Sequence, residues 1–455
     1  MSCYFTIFVI ILSSIFLIIG YRSTKNIKNN DAYFLADRKL GVFAICMSLL
    51  ATQLGGGVVL GTSELSYKYG IYGIFYTLGL SLGLIGITFF GAKQLREKNI
   101  GTVAELFEKE YNSVFLRKVA SAISIFSLYG ILVSMIIGTR KLLVSFGIEN
   151  EVILYAFWIV LIIYTVLGGM KAVVYTDVVQ IIVIFLVFTV VVIYYLLKDF
   201  NYIQFAFENL LNTQNTNNVS FTPYILIPFL YVFIEQDMAQ RFFSAKNTKA
   251  AYTSALLAGL LLLLFSFIPL VFGIAARKLG DVPDGGSAMT FFFIQTSNNF
   301  ITSIAALAIL CAIISTGDSL LCAISSNLML DYFKKEGSLS YTRLFTIILG
   351  ITAIIIANYF NDIVKVMLVG YEIMVCTLFL PIVSCYFNFK KKTVFAYLSI
   401  FLGLIGFLLH AKITAFFNCN ITRELFCILL SLLAFPFSEI FERFYKPFQK
   451  EKMLK

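Results

Sequence analysis

Four carboxylates interrupt otherwise apolar stretches of this chain: Asp177, Glu235, Asp318 and Glu372. An acid in such surroundings is costly to keep charged, and where it persists it marks an ion pathway, a ligand or a paired partner. Blander roles stay open beside these. Asp177 could bond to a bend at Gly168 and Gly169, Lys365 could neutralise Glu372, and Asp318 could point to a hydrated vestibule. A second kind of chemistry is offered by SLLATQLGGGVVLG, Ser48 to Gly61. Its adjacent glycines Gly55, Gly56 and Gly57 each lower helix propensity by about 1 kcal/mol. Either they let helices pack closely, or the helix unwinds there and its freed carbonyls hold a cation or a solute. Reactive chemistry is poorly provided for. The single histidine, His410, leaves no H-E-x-x-H pattern and no nucleophile–base pair, and the cysteines lack C-x-x-C spacing. The inventory predicts binding of ions and solutes, with no catalysis and no resident cofactor.

The elements that must position these residues are membrane helices. The chain has 455 residues, 59% of them hydrophobic and 13% charged, with mean hydropathy +0.88. A soluble fold of this size could not hide so much apolar surface. Apolar runs of about 20 residues recur from end to end, the length a helix needs to cross a bilayer, and helices satisfy their backbone bonds internally where open strands do not. The runs predict thirteen spans, at about 3–21, 42–64, 69–92, 116–146, 150–168, 172–198, 223–240, 249–276, 299–331, 340–361, 363–387, 393–411 and 423–444. The first lacks a basic leader and a small-residue cleavage site, and Arg22, Lys25 and Lys28 follow it, so it reads as a retained helix. With the N-terminus outside and the C-terminus cytoplasmic, most of the 35 lysines and arginines, Arg241 among them, fall in inner segments. The net charge of +10 is then topological and implies no nucleic-acid partner. The run starting after Pro223 carries Pro228 and is the second candidate for a broken helix. No soluble domain is expected.

Three stretches then point to a family. DAYFLADRKLG (Asp31 to Gly41), GGMKAVVYTDVVQ (Gly168 to Gln180) and AIISTGDSLL (Ala312 to Leu321), with QRFFSAKNTKAA after the second broken run, resemble motifs of the sodium/solute symporter family, most nearly its proline permease-like branch. The likeness runs from about residue 30 to 390. It implies an all-α, leucine-transporter-type 5+5 inverted repeat with broken first and sixth core helices. Residues 1–41 would form an extra N-terminal helix and loop, 42–198 the first five-helix repeat and 199–222 an external loop. Residues 223–387 would form the second repeat, and 388–455 two further helices and a tail. The same likeness implies a sodium site made by the backbone carbonyls of Ala51, Leu54 and Ala312 and the hydroxyls of Ser315 and Thr316. Neutral oxygens of this kind suit a hard cation that must also leave. In some family members positions matching Asp177, Asp318 and Ser319 hold a second cation. Two carboxylates approaching in low dielectric would need that cation or a shared proton.

The resemblance also places Gln53, Gly55, Gly56, Gly57, Glu235 and Glu372 at the substrate pocket. Proline-selective members carry an Asp and a Trp where this chain has Gln53 and Gly57, and a Trp where it has Pro228. The expected activity is sodium-coupled symport of a small organic solute across a bacterial inner membrane. An amino acid such as proline is the first candidate, with a cationic or zwitterionic solute, a proton-coupled carrier, or a solute sensor as alternatives. The expected partners are the solute, sodium and lipid; nothing in the sequence speaks to oligomeric state.

Overall fold

A computed structural model describes residues 2–440 except 26, 149–150, 214–218, 284–285, 334–337, 361–362, 388–391 and 418–420, and without the side chains of 2–3, 363–366 and 415–417. Among the described residues every regular element is helical. The chain opens with α1 (Ser2–Thr24) and the short α2 (Asn30–Leu35). The first broken helix follows as α3 (Val42–Gln53) and α4 (Thr62–Tyr69), joined by a wide turn over Gly57–Gly61. Next come α5 (Phe75–Phe90), the short α6 (Ala92–Glu97) and α7 (Glu105–Tyr111), then α8 (Val114–Ser145). The longest element, α9 (Glu151–Lys198), turns sharply at Gly169 (φ 52°, ψ −147°), so it holds two of the expected spans. After the surface helix α10 (Phe200–Glu208), the second broken helix is α11 (Thr222–Tyr231) and α12 (Gln236–Ser244). The remainder is α13 (Thr248–Phe265), α14 (Phe267–Ala276), α15 (Ala288–Thr296), α16 (Asn299–Asn327), α17 (Leu339–Ala357), α18 (Ile363–Ser384), α19 (Thr393–Phe417) and α20 (Arg423–Leu432). The short helix α15 has no counterpart among the thirteen expected runs.

Nine helical segments among the described residues are long and apolar enough to cross a membrane. The count falls below thirteen because two expected spans run together through the Gly169 bend, another pair joins across 57–90, the second broken helix is too short in each half, and the regular helix in the run expected at 423–444 is only the ten-residue α20. The exposed apolar side chains that ring the bundle, such as Phe89, Leu186, Leu264 and Leu408, suit contact with lipid. The chain is a multi-pass membrane protein.

Two local features set the central geometry. At Gly169 the positive φ is one that only glycine takes without strain, and an added Cβ would lie 2.4 Å from the Tyr33 carbonyl. The carbonyls freed just before the bend are capped by Tyr33, whose hydroxyl donates to Thr165 (3.1 Å), and by Thr24, which donates to Leu167 (3.1 Å). In the second broken helix, Pro228 has no N–H to give and the chain leaves helical geometry by Glu235 (ψ 125°) before α12 begins. At the end of the bundle near these turns, Leu40 pairs with Ala245 in an isolated bridge, and Arg96 donates to the Ala245 carbonyl at 2.5 Å. Here the segment entering α3 is tied to the end of α12. This end, which also carries α6 and α7, is called the basic face below.

Candidate functional site

α3 stops after Gln53, so its last carbonyls lack the helical N–H partners that a continuing helix would supply. The unbroken α16 supplies hydroxyls in their place. Ser315 donates to the Ala51 carbonyl at 2.8 Å and lies 3.0 Å from that of Ala312. Thr316 donates to the Thr52 carbonyl at 2.8 Å. Ala51, Ala312, Ser315 and Thr316 are therefore brought together, with Thr52 as an added member that sequence reasoning did not name. Leu54 stands at the break itself (ψ 31°). Both readings of the glycine run hold. The helix is interrupted there, and a Cβ on Gly55 would sit 2.4 Å from the Thr316 hydroxyl, while one on Gly57 would sit 2.9 Å from the Tyr76 hydroxyl.

Next to this cluster, toward the basic face, lies a layer of buried charge. Asp177, Asp237, Arg241, Asp318 and Ser319 are all fully buried. The Arg241 guanidinium donates to Ser48 (2.9 Å), to Asp177 (3.2 Å), to Ser319 (2.5 Å) and to the backbone carbonyl of Asp237 (2.7 Å). Ser48 also donates to Asp177 at 2.5 Å, and Tyr164 donates to Asp318 at 2.6 Å. Ser319 lies 3.0 Å from the Thr52 hydroxyl, which joins this layer to the first cluster.

This corrects the sequence reading in two ways. Arg241 is not in an inner loop: α12 carries it into the core because the break at Glu235 starts a new helix whose whole length is buried. Asp177 does not bond to the Gly168–Gly169 bend; its countercharge is Arg241. Only the pattern QR within an amphipathic turn hinted at this, and its spacing fits an inner helix end equally well.

Gln53 and Glu235 meet across the two breaks, with the Gln53 amide donating to the Glu235 carboxylate at 3.0 Å. They line a small cavity of about 20 Å³ with Gly55, Gly57, Tyr76, Met367 and Tyr371. Tyr76, Met367, Met135 and Gly57 also border a chamber of about 290 Å³ that includes Gly56, Leu60, Glu64, Ser134 and Tyr224 and lies away from the basic face. The Tyr76 and Tyr371 hydroxyls lie 3.4 Å apart, and the Tyr371 ring stands 4.2 Å from that of Tyr231. Tyr76 borders both spaces and Tyr371 the cavity, and no sequence motif pointed to either. Glu372 is not brought to that cavity. It pairs with Arg423 at 2.6 Å and borders a separate opening beside Tyr224 and Pro228. The side chain of Lys365, its expected alternative partner, lies outside the described residues.

Two interrupted helices that meet at a buried polar centre, inside a bundle whose rim faces lipid, define a membrane protein of the broken-helix transporter fold. The sodium:solute symporter family model matches residues 33–338, and the chain belongs to that family. Over 172 residues it is 28% identical to the osmoregulated proline transporter of Bacillus subtilis, covering 36% of this chain and 35% of that protein. It is 29% identical over 196 residues to the high affinity choline transporter 1 of Homo sapiens, covering 39% and 32%. It is 26% identical over 306 residues to the sodium/glucose cotransporter of Vibrio parahaemolyticus, covering 61% and 55%. The matches thus span from about a third to about half of these relatives' lengths. Among solved structures, a Na+-coupled sialic acid symporter superposes with TM-score 0.79 over 95% of this chain and 96% of that one, at 17% identity. A nucleobase-cation-symport-1 family transporter superposes with TM-score 0.64 at 12% identity, over 90% and 94%. The fold is the leucine-transporter-type inverted repeat, with α3–α4 and α11–α12 as its broken first and sixth core helices.

Proposed function

We propose that this chain carries a small organic solute into a bacterial cell together with sodium. The observation that carries the reading is the meeting of the Ser315 and Thr316 hydroxyls with the carbonyl end of α3. Sodium is written here as cargo. Held by the carbonyls of Ala51, Leu54 and Ala312 and the hydroxyls of Ser315 and Thr316, it would fix α3 against α16. The same broken helix contributes Gln53, Gly55, Gly56 and Gly57 to the wall of the solute cavity, opposite Glu235. A cation that orders the break therefore also orders the solute site, and each ligand raises the affinity of the other by the same factor. A second cation at Asp177, Asp318 and Ser319 is not part of this reading, because Arg241 already bonds to two of the three.

The basic face is assigned to the cytoplasm, with the N-terminus outside, on the positive-inside pattern. In that orientation the large chamber opens outward and the Arg241 layer closes the inner path. An amino acid such as proline is the favoured solute. Its support is that several relatives are proline transporters. Uptake of labelled L-proline into proteoliposomes under an inward sodium gradient tests the whole reading. Accumulation that is unchanged when potassium replaces sodium would refute the coupling.

A further inference from the structure

We propose that the transported solute bears a positively charged nitrogen, which pairs with Glu235. The proposal rests on the symport reading above and narrows its substrate class. It starts from the charges of the buried centre. Four acids, Asp177, Glu235, Asp237 and Asp318, are at most 6% exposed, and Arg241 is the one buried arginine or lysine among the described residues. All three of its nitrogens are engaged, and its one carboxylate partner is Asp177. Asp318 receives the Tyr164 hydroxyl.

Glu235 accepts from the neutral amide of Gln53 and faces the carboxyl group of Asp237, a second acid, and among the described residues no basic side chain pairs with either carboxylate. Two facing carboxyls in low dielectric must share a proton or take up a cation, and a solute nitrogen that reaches Glu235 supplies the second. The sodium cage of Ser315 and Thr316 contains only neutral oxygens and does not draw on these acids.

The lining points to an organic cation. Among the described residues no lysine, arginine or histidine borders the Glu235 cavity; the basic group nearest to it along the solute's path is Lys68 at the wall of the adjoining chamber, which Glu64 also lines, so the positive end of a solute is the one that Glu235 selects. Tyr76, Tyr371, Met135 and Met367 line the same cavity as Glu235. Aromatic faces and thioethers attract an ammonium group and pay little for its bulk. A sugar would need several hydroxyl partners, whereas the polar groups here are few. The adjoining chamber of about 290 Å³ is at the small end of ligand pockets, which fits a solute of amino-acid or choline size. Tyr76 and Met367 border both spaces, so a solute standing in the chamber needs only their side chains to turn for its nitrogen to reach Glu235.

The test uses purified full-length protein in detergent and four probes: choline, L-proline, D-glucose and pantothenate. Each is added with sodium or with potassium, and the thermal unfolding midpoint and the Trp158 fluorescence are read. Choline or L-proline should stabilise the protein in sodium, and glucose and pantothenate should not. The E235Q variant should lose affinity for that solute by about tenfold or more, whereas E235D, which keeps the charge, should retain most of it. Stabilisation by glucose or pantothenate, by neither nitrogen cation, or equally in wild type and E235Q would overturn the proposal while leaving sodium coupling intact. A wild-type protein in which neither readout responds to sodium would instead refute the symport reading itself.

Discussion

Replacing Ser315 by Ala removes one oxygen from the proposed sodium cage, and the structure allows the size of the effect to be worked out. Without sodium, the Ser315 hydroxyl donates to the Ala51 carbonyl at 2.8 Å, a bond whose loss costs about 1 kcal/mol. With sodium present, the same oxygen turns its lone pair to the cation, an interaction with a charged partner worth about 2–3 kcal/mol. The substitution therefore weakens both states, and the binding constant feels only the difference, about 1–2 kcal/mol. That corresponds to a rise of roughly fivefold to thirtyfold in the half-saturating sodium concentration. A solute-free assay is available in the chain itself. Trp158 is the single tryptophan. It packs so closely on α16 that a Cβ on Gly317, the residue after Thr316, would lie 2.7 Å from its ring. Its indole N–H donates to Thr139 on α8 at 3.3 Å. Any shift of α16 on ion binding alters the surroundings of this ring, so its fluorescence should titrate with sodium and not with potassium. The S315A and T316A midpoints should both move upward while the amplitude remains. Wild-type midpoints in both variants would remove these hydroxyls from the cage and refute the argument.

Arg241→Ala should be far more damaging than its distance from the solute cavity suggests. It leaves the fully buried Asp177 carboxylate without a countercharge, a loss of about 3–5 kcal/mol that a thermal melt in detergent would register. Gly169→Ala forces a side chain into a positive-φ position against the Tyr33 carbonyl, and expression or melting temperature should fall sharply, whereas Gly41→Ala, with nothing within 4 Å, should behave as wild type. Glu372→Gln breaks only the partly exposed pair with Arg423, so stability should change by no more than about 1 kcal/mol and the sodium midpoint should stay put. A shifted midpoint in that variant would show that Glu372 acts on the ion site after all.

Much of this protein could be read before any coordinates. Apolar runs of bilayer length, the glycine triplet, the prolines at 223 and 228 and the motif around Ser315 and Thr316 are local signals, because helix formation in lipid depends on neighbours along the chain. They determined an all-helical membrane protein and the candidate places for its breaks, while the hydroxyls that meet the first break were named by the family resemblance. What the chain could not disclose is which charges share one enclosed space. Arg241 reads as one more basic residue at an inner helix end until α12 is seen to start after Glu235 and bring Arg241 against Asp177, 64 residues before it in sequence. Gln53 and Glu235 are separated by 182 positions, and Glu372 and Arg423 by 51, so neither pairing follows from periodicity. The tyrosines of the cavity wall look like ordinary core aromatics in sequence. Countercharge and cavity walls are properties of space rather than of order along the chain, and only the packing of α3, α5, α9, α12, α16 and α18 around one centre decided them.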